Sequence, residues 1–304
     1  TPSMWRRFLI GCLGSMLQHA PQVIVIGGGP AGASCALWLH QLGVKLLLLE
    51  ADASLGGLQR QSPYTNRWVL GVIDMTGQQI ANNITQQLKA ENVPFYTNSA
   101  VKSVAHKGRA FEVKWGRHKS NAPFVVLATG TRPISGGFKP SATLAIGPGE
   151  PMERLEVQGK RVAILGGGDN AFDQALFALK RGAAQVTIFT RRQPCAQQLM
   201  QQQANGARVI IGPFEANQKR MDVNGERFDV IGVMYGFEAV LPQGLSPQML
   251  KNYVAAKRSG QTSITGLYAC GDLTNYWHPS VITAAAHGAQ VAKQIASKLL
   301  RPGE

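Results

Sequence analysis

"VIVIGGGPAGASCALWLHQLG", residues 23–43, opens on four consecutive apolar side chains and runs into three glycines and a proline. Continuous β-branched apolar residues mark a parallel strand buried on both faces, because a strand with one wet face alternates apolar with polar. Gly27, Gly29 and Gly32 then give GxGxxG where strand turns into helix. The first glycine permits the tight turn, the second lets backbone approach a pyrophosphate, and the third lets helix pack on strand. Free N–H groups and the positive end of the helix dipole face the phosphates. The spacing alone is weak evidence, but "VKLLLLE", residues 44–50, supplies a second buried strand ending in Glu50. A carboxylate there accepts from ribose hydroxyls and repels a 2′-phosphate, so this first site suits FAD or NAD.

The unit recurs. "AILGGGDNAFDQALFALKRG", residues 163–182, again reads as strand, glycine turn and helix, with Gly166, Gly168 and Ala171 as GxGxxA. The next strand, "QVTIF", ends in "TRR", so Arg191 and Arg192 stand where an acid would select NADH. Arginine–phosphate bonds are charge-assisted, which favours NADPH. Two such loops predict a protein that brings two dinucleotides face to face, one kept and one exchanged.

Composition sets outer limits. A chain of 304 residues is long enough for two domains with real cores. No apolar run approaches the ~20 residues of a membrane span. Four cysteines, at 12, 35, 195 and 270, form neither a CxxC pair nor a metal-ligand spacing. No metal is expected, and a reducing, cytoplasmic setting is. Net charge is +14, and residues 134–232 hold only twelve basic against nine acidic side chains, so the excess lies outside them. Lys102, Lys107, Arg109, Lys114, Arg117 and Lys119 surround a single acid, Glu112. No nucleic-acid reader motif or stacking series accompanies this charge. A solvated basic face, an acidic partner and a membrane surface all fit it. "MWRRFLIGCLGSML" near the start pairs arginines with an apolar run too short for a signal sequence, and residues 1–20 are expected to be an extension.

"FVVLATG" (124–130) and "GLYACGDLTN" (266–275) are two further apolar strands with small-residue turns, the second placing Asp272 just past its strand. With the first loop they resemble the flavoprotein disulfide reductases, in which these three segments enclose FAD. The order of halves in so short a chain resembles the low-molecular-weight thioredoxin reductases from residue 22 to 300. "GGLQRQSPYTNRWVLGVIDMTGQ" (56–78) is similar to that family's GGQL…W…TG segment, with Trp68 in register. "GGGDNAFDQALF" resembles its GGGDSAxEEAxF, and "TSITGLYACGDLTNYWHPSVITAAAHGAQVA" its closing TxxPGxFAAGD…QAITAAGxG segment.

The resemblance implies an α/β fold with two Rossmann-like, three-layer domains, the NADP domain inserted into a discontinuous FAD domain. The FAD domain would be 21–132 with 233–304, and the NAD(P) domain 133–232. Gly57, Val101, Thr129, Gly130, Asp272, Val281 and Ile282 would join Gly27, Gly29, Gly32 and Glu50 around FAD. Asp169 and Asn170 would join Gly166, Gly168, Ala171, Arg191 and Arg192 around the nucleotide. A homodimer is implied as well. Hydride would pass from NADPH to flavin, and electrons onward.

The departures bear on the acceptor. Where that family carries CxxC, this chain has Gly149, Glu150, Pro151 and Met152, none able to form a disulfide. Cys195 and Cys270 are expected to be small packing residues. Thiol–disulfide exchange needs an attacking thiolate, so a non-disulfide acceptor is expected. Ferredoxin–NADP reductases of thioredoxin-reductase type also lack CxxC, and a basic flavin domain suits acidic redox proteins; a small molecule is the other acceptor class, and a flavin-bound assembly protein the non-enzymatic alternative. Arg-Gln before the final helix is replaced by Pro279-Ser280, and the second domain's β-meander is expected to be trimmed. His278, beside Trp277, is a candidate proton donor or a pocket-packing residue.

Overall fold

The computed structural model describes residues 20–62, 65–274 and 279–300. The chain divides into two compact units: one runs up to Thr131 and resumes at Ala239, and the other is Arg132–Glu238. Each is α/β around a parallel sheet.

In the first unit, β1 (Val23–Ile26), β2 (Leu46–Leu49) and β3 (Phe95–Tyr96) are followed by an antiparallel meander. The meander is β4 (Val101–Lys107), β5 (Ala110–Trp115) and β6 (His118–Ala122), and β7 (Phe124–Leu127) returns to the main sheet. Spatial order is strand Leu267–Ala269, then β7, β1, β2 and β3, all parallel. Strand β1 is apolar throughout because both its faces are covered. Val23 and Val25 pack with Cys35, Ala36 and Leu39 of helix Pro30–Gln41, while Ile24 and Ile26 pack with Val104, Phe111 and Val113 of the meander. Side chains alternate between faces at each residue, so one four-residue strand serves two cores.

Helix Val281–Leu300 lies along helix Pro30–Gln41 at close range. A Cβ on Gly288 would sit 2.1 Å from the Ala31 carbonyl oxygen, and Ser34 Oγ donates to the Ala285 carbonyl at 2.7 Å. Helix Gly77–Ala90 is started by a capping box, Thr76 Oγ1 accepting from Gln79 N while Gln79 Oε1 accepts from Thr76 N.

The second unit repeats the plan. Its parallel strands stand in the order Arg208–Ile211, Gln185–Thr190, Arg161–Leu165, Val230–Val233 and Leu144–Ile146. Val162 and Ile164 pack with Ala171, Phe172 and Ala175 of helix Asp169–Lys180. Ala163 and Leu165 face Phe189, Phe214 and Phe228 on the other side. The meander here is present but reduced to three two-residue strands, Ala216–Asn217, Asp222–Val223 and Glu226–Arg227. Among the described residues, no helix is long and apolar enough to cross a membrane. The extension expected over residues 1–20 lies outside the described residues up to residue 19.

Candidate functional site

The carboxyl ends of the first unit's strands open into a cavity of about 620 Å³. Gly27 turns the chain out of β1 with φ of 103°, and a Cβ there would lie 2.4 Å from the Ala128 carbonyl oxygen. Only glycine satisfies both conditions. Gly32 does not line the cavity; a Cβ on it would lie 1.8 Å from the Gly27 carbonyl oxygen, so its role is to let helix meet turn. Gly29 faces Gly57 across the cavity wall, and a Cβ on Gly57 would lie 3.1 Å from the Gly29 Cα. Side chains at either position would fill the cradle.

Glu50 is buried, 7% exposed, and lines the same cavity. Its Oε2 accepts from Gly28 N at 2.5 Å and its Oε1 from Asp52 N at 2.8 Å. The carboxylate therefore ties the glycine loop to the end of β2, a role that its sequence position did not disclose. Gly28 is the missed residue: a Cβ there would strike Leu55 and Glu50 Oε2. A carboxylate offers about four lone-pair sites, so two remain for a ligand's hydroxyls.

The rest of the wall is built from both stretches of this unit. Thr129, Gly130, Val101 and Asp272 all line the cavity. Thr129 Oγ1 donates to the Val240 carbonyl at 2.5 Å, fixing the two half-chains together. Burial pushes the Asp272 carboxyl above its ordinary value. His287, also missed, lies under this turn, where its Nδ1 accepts from Gly271 N at 3.3 Å and burial pushes its pKa down. Val281 lines the cavity, whereas Ile282 does not and is 46% exposed. Ser280 Oγ accepts from Thr283 N, which makes Ser280 the N-cap of helix Val281–Leu300, directed at the cavity. The floor turn Gly57–Gln61 is held by Arg60, whose Nε and Nη2 both donate to the Leu55 carbonyl. His278 and Trp277 lie outside the described residues.

In the second unit Gly166 N bonds the Phe189 carbonyl as Gly27 N bonds that of Leu49. Thr190 is thus the counterpart of Glu50, and a Cβ on Gly167 would meet its Oγ1 at 2.3 Å. The missing acid is replaced by this threonine, and the arginines follow it. Arg191 and Arg192 are exposed, with the Arg191 guanidinium over the Phe214 ring at 5.5 Å. Asn170 is exposed, Ala171 is fully buried, and Asp169 accepts from Gln197 N at 2.7 Å. Gly168 faces Cys195, which is exposed and so is not the packing residue the sequence led us to expect. Cys270 is buried against Cys35, whose thiol is pushed up by its hydrogen bond with Cys270 and by burial. In place of CxxC, Gly149 begins a one-turn helix that drives Met152 completely into the core, its sulfur against Gly232.

A glycine cradle, a buried acid at the strand end and a helix N-terminus, combined in one cavity and partly repeated in the second unit, match a known pattern. The sequence pattern of the pyridine nucleotide-disulphide oxidoreductases matches residues 21–290. The chain belongs to that family. Among curated relatives, a ferredoxin–NADP reductase of Limosilactobacillus fermentum is 29% identical over 310 residues, covering 90% of this chain and 91% of its own. Another from Thermus thermophilus is 25% identical, covering 86% and 87%. Among solved structures, Lactococcus lactis thioredoxin reductase has a TM-score of 0.76 at 21% identity, covering 92% of this chain and 99% of its own. Bacillithiol disulfide reductase from Bacillus cereus has a TM-score of 0.74 at 17% identity, covering 92% and 100%. As a pyridine nucleotide-disulphide oxidoreductase, the chain is a flavin-dependent enzyme that uses FAD and a nicotinamide nucleotide.

Proposed function

We propose that this oxidoreductase takes reducing equivalents from NADPH and delivers them to a small redox protein of ferredoxin type rather than to a disulfide. When bound, FAD would supply the redox chemistry, taking up two electrons as hydride and passing them one at a time to two one-electron carriers. The observation that carries the reading is Met152, a core plug at the position where the thioredoxin reductases that this chain resembles carry CxxC. The names of the ferredoxin–NADP reductase relatives support the acceptor class.

In this reading the chain's residues divide the labour. Gly27, Gly29 and Gly57 leave room for a pyrophosphate beside backbone N–H groups. The two free lone-pair sites of Glu50 receive the adenosine ribose hydroxyls. Asp272, Thr129 and Gly130 line the ribityl end, and the N-terminus of helix Val281–Leu300 faces developing negative charge. Val101 lies toward the adenosine end, two residues after Ser99, whose N–H donates to the Glu50 carbonyl. In the second unit Gly166, Gly168, Asp169 and Asn170 hold the nucleotide's phosphates. Arg191, pre-oriented on Phe214, and Arg192 take the 2′-phosphate. FAD would lie on the unit that ends at Thr131 and resumes at Ala239, and the nucleotide on Arg132–Glu238. The boundary expected at 232/233 would cut the strand Val230–Val233, so the second unit runs on to Glu238. The apolar side chains of Trp68, Leu70 and Ile73, 87%, 97% and 82% exposed on one loop, support a homodimer.

The test is anaerobic turnover of the purified holoprotein with NADPH. A ferredoxin or flavodoxin should be reduced catalytically, and thioredoxin or a small disulfide should not. Robust disulfide turnover would overturn the reading, above all if it vanished in Cys195→Ala.

A further inference from the structure

The β4–β6 meander turns one face to the cores and one outward. Its inward rows hold Val104, Phe111, Val113 and Trp115, all buried. The outward rows follow from the register. Ser103 pairs with Lys114 and Lys114 with Lys119; Ala105 pairs with Glu112 and Glu112 with Asn121; Lys107 pairs with Ala110. Ser103, Ala105 and Ala110 are short, so this face is flat and the lysines stand above it.

Its charge has one sign. Glu112, the sole acid, is engaged by Lys114 at 3.2 Å and by Lys119 at 3.9 Å, and those lysines hold its carboxyl below the ordinary value. Lys102, Lys107, Arg109 and Arg117 are exposed around it, on β4 and on the two meander turns. The sheet is also joined to the cavity. Val101, the first residue of β4, lines it; Gln243, next to the lining residues Leu241 and Pro242, bonds Lys102 and Val104 through its backbone. The register shifts by a β-bulge between Val101 and Ser103, so that Val101 pairs with Trp115 and Ser103 with Lys114. The Ser103–Lys114–Lys119 row therefore stands about 3–7 Å along the strand from the cavity wall.

We propose that this outward face is the docking surface for a small acidic electron-carrier protein. The proposal rests on the reading above that the acceptor is a redox protein, and adds where that protein binds and what recognises it. A flat, cationic sheet with short side chains between the charges fits an acidic protein surface. A lipid surface would call for large apolar side chains, and a single-stranded nucleic acid for exposed rings; the Phe and Trp of this sheet are buried. Like-signed charge next to the site both steers encounter and fixes orientation, raising association rates about 10- to 1000-fold at low salt.

The experiment compares the wild-type holoenzyme with a Lys102→Glu, Lys107→Glu, Arg117→Glu variant and a control variant, Lys45→Glu with Lys89→Glu, far along the chain from this face. Readouts are calorimetric binding of an acidic ferredoxin, its NADPH-dependent reduction across ionic strength, reduction of a neutral quinone, and pelleting with vesicles containing phosphatidylserine. Expected is at least a tenfold loss of kcat/KM and of affinity for ferredoxin in the triple variant, with a flattened salt dependence. Quinone reduction, and ferredoxin reduction by the control, should stay at the wild-type level. Ferredoxin binding that the triple variant leaves intact overturns the surface, as does vesicle binding that alone responds to it. Wild type that binds no acidic carrier overturns both surface and acceptor. Salt-dependent binding that the variant abolishes, without electron transfer, keeps the surface and overturns the acceptor.

Discussion

Replacing Glu50 separates two roles that the cavity gives it, holding the loop and holding a ligand. Two backbone donors, Gly28 N and Asp52 N, point at its two oxygens from 2.5 and 2.8 Å, and the side chain is buried. Glutamine preserves the shape but has one oxygen, so its amide must face one of those N–H groups donor to donor. A buried donor left without a partner costs about 1–3 kcal/mol. Glu50→Gln should therefore lower the stability of the FAD-free protein by up to about that amount. Glu50→Ala, which strands the buried Gly28 N–H and leaves the part-buried Asp52 N–H to water, should lower it by at least as much. Urea unfolding monitored by circular dichroism, with m values compared, measures the loop-holding part. FAD affinity, measured by quenching of flavin fluorescence, measures the remainder: an affinity loss larger than the loss of stability is the ribose contribution. An unfolding midpoint unchanged in Glu50→Ala would show that the carboxylate does not hold the glycine loop. Lost stability with undiminished FAD affinity would refute the ribose contact.

Further outcomes test other parts of the structure. Arg191→Ala with Arg192→Ala should narrow the preference for NADPH over NADH, each well-formed arginine–phosphate contact being worth about 1.5–3 kcal/mol; equal affinities in the unmutated protein would refute the 2′-phosphate assignment. Gly32→Ala forces a methyl to within 1.8 Å of the Gly27 carbonyl oxygen, so the thermal midpoint should fall sharply, and an unchanged midpoint would contradict the close helix–turn packing. Burial lowers the His287 pKa from 6.5, so the unfolded chain takes up the proton first as pH falls. The stability this residue contributes is complete above about pH 6.5 and is lost as pH falls from there toward its folded pKa; His287→Asn, which keeps an acceptor for Gly271 N, should flatten that pH dependence. Trp68→Asp with Leu70→Asp should convert the proposed dimer to monomer by light scattering, and an unchanged mass would clear that loop of any part in assembly.

What could be read in advance follows how local each feature is. The glycine turns and the continuous apolar strands were legible because each is a short-range condition: a tight turn, a close approach, a strand with two dry faces. Gly28 was overlooked because its constraint comes from Leu55 and Glu50, across a turn that spacing rules do not describe. Thr190 emerges as the counterpart of Glu50 only when the two glycine loops are aligned by their hydrogen bonds to Leu49 and Phe189. Phe214 under Arg191, and His287 under the Asp272 turn, depend on contacts that no periodicity encodes. Cys195 shows the reverse failure. A lone small residue in a basic chain reads as packing, but the turn that brings its backbone N–H to the Gly167 carbonyl leaves the thiol in solvent.

The stretch Gly149–Met152 ties fold to acceptor most directly. A redox disulfide at this point needs two thiols that can leave the protein core and meet a partner sulfur. Gly149 has φ of 76° and begins a helical turn with Pro151 inside it, which points the residue at 152 inward. Met152 is completely buried, and a Cβ on Gly232 would lie 2.9 Å from its sulfur. Installing cysteines at 149 and 152 would thus empty part of this core, at a cost below the roughly 2–5 kcal/mol of a Met-to-Ala truncation, and put a β-carbon where φ is positive. A thiol at 152 would start inside the core, while one at 149 would stand in open space, so the two would not begin as a pair. Restoring the sulfur atoms alone should not restore disulfide reduction, because this segment has been absorbed into the packing of the second unit.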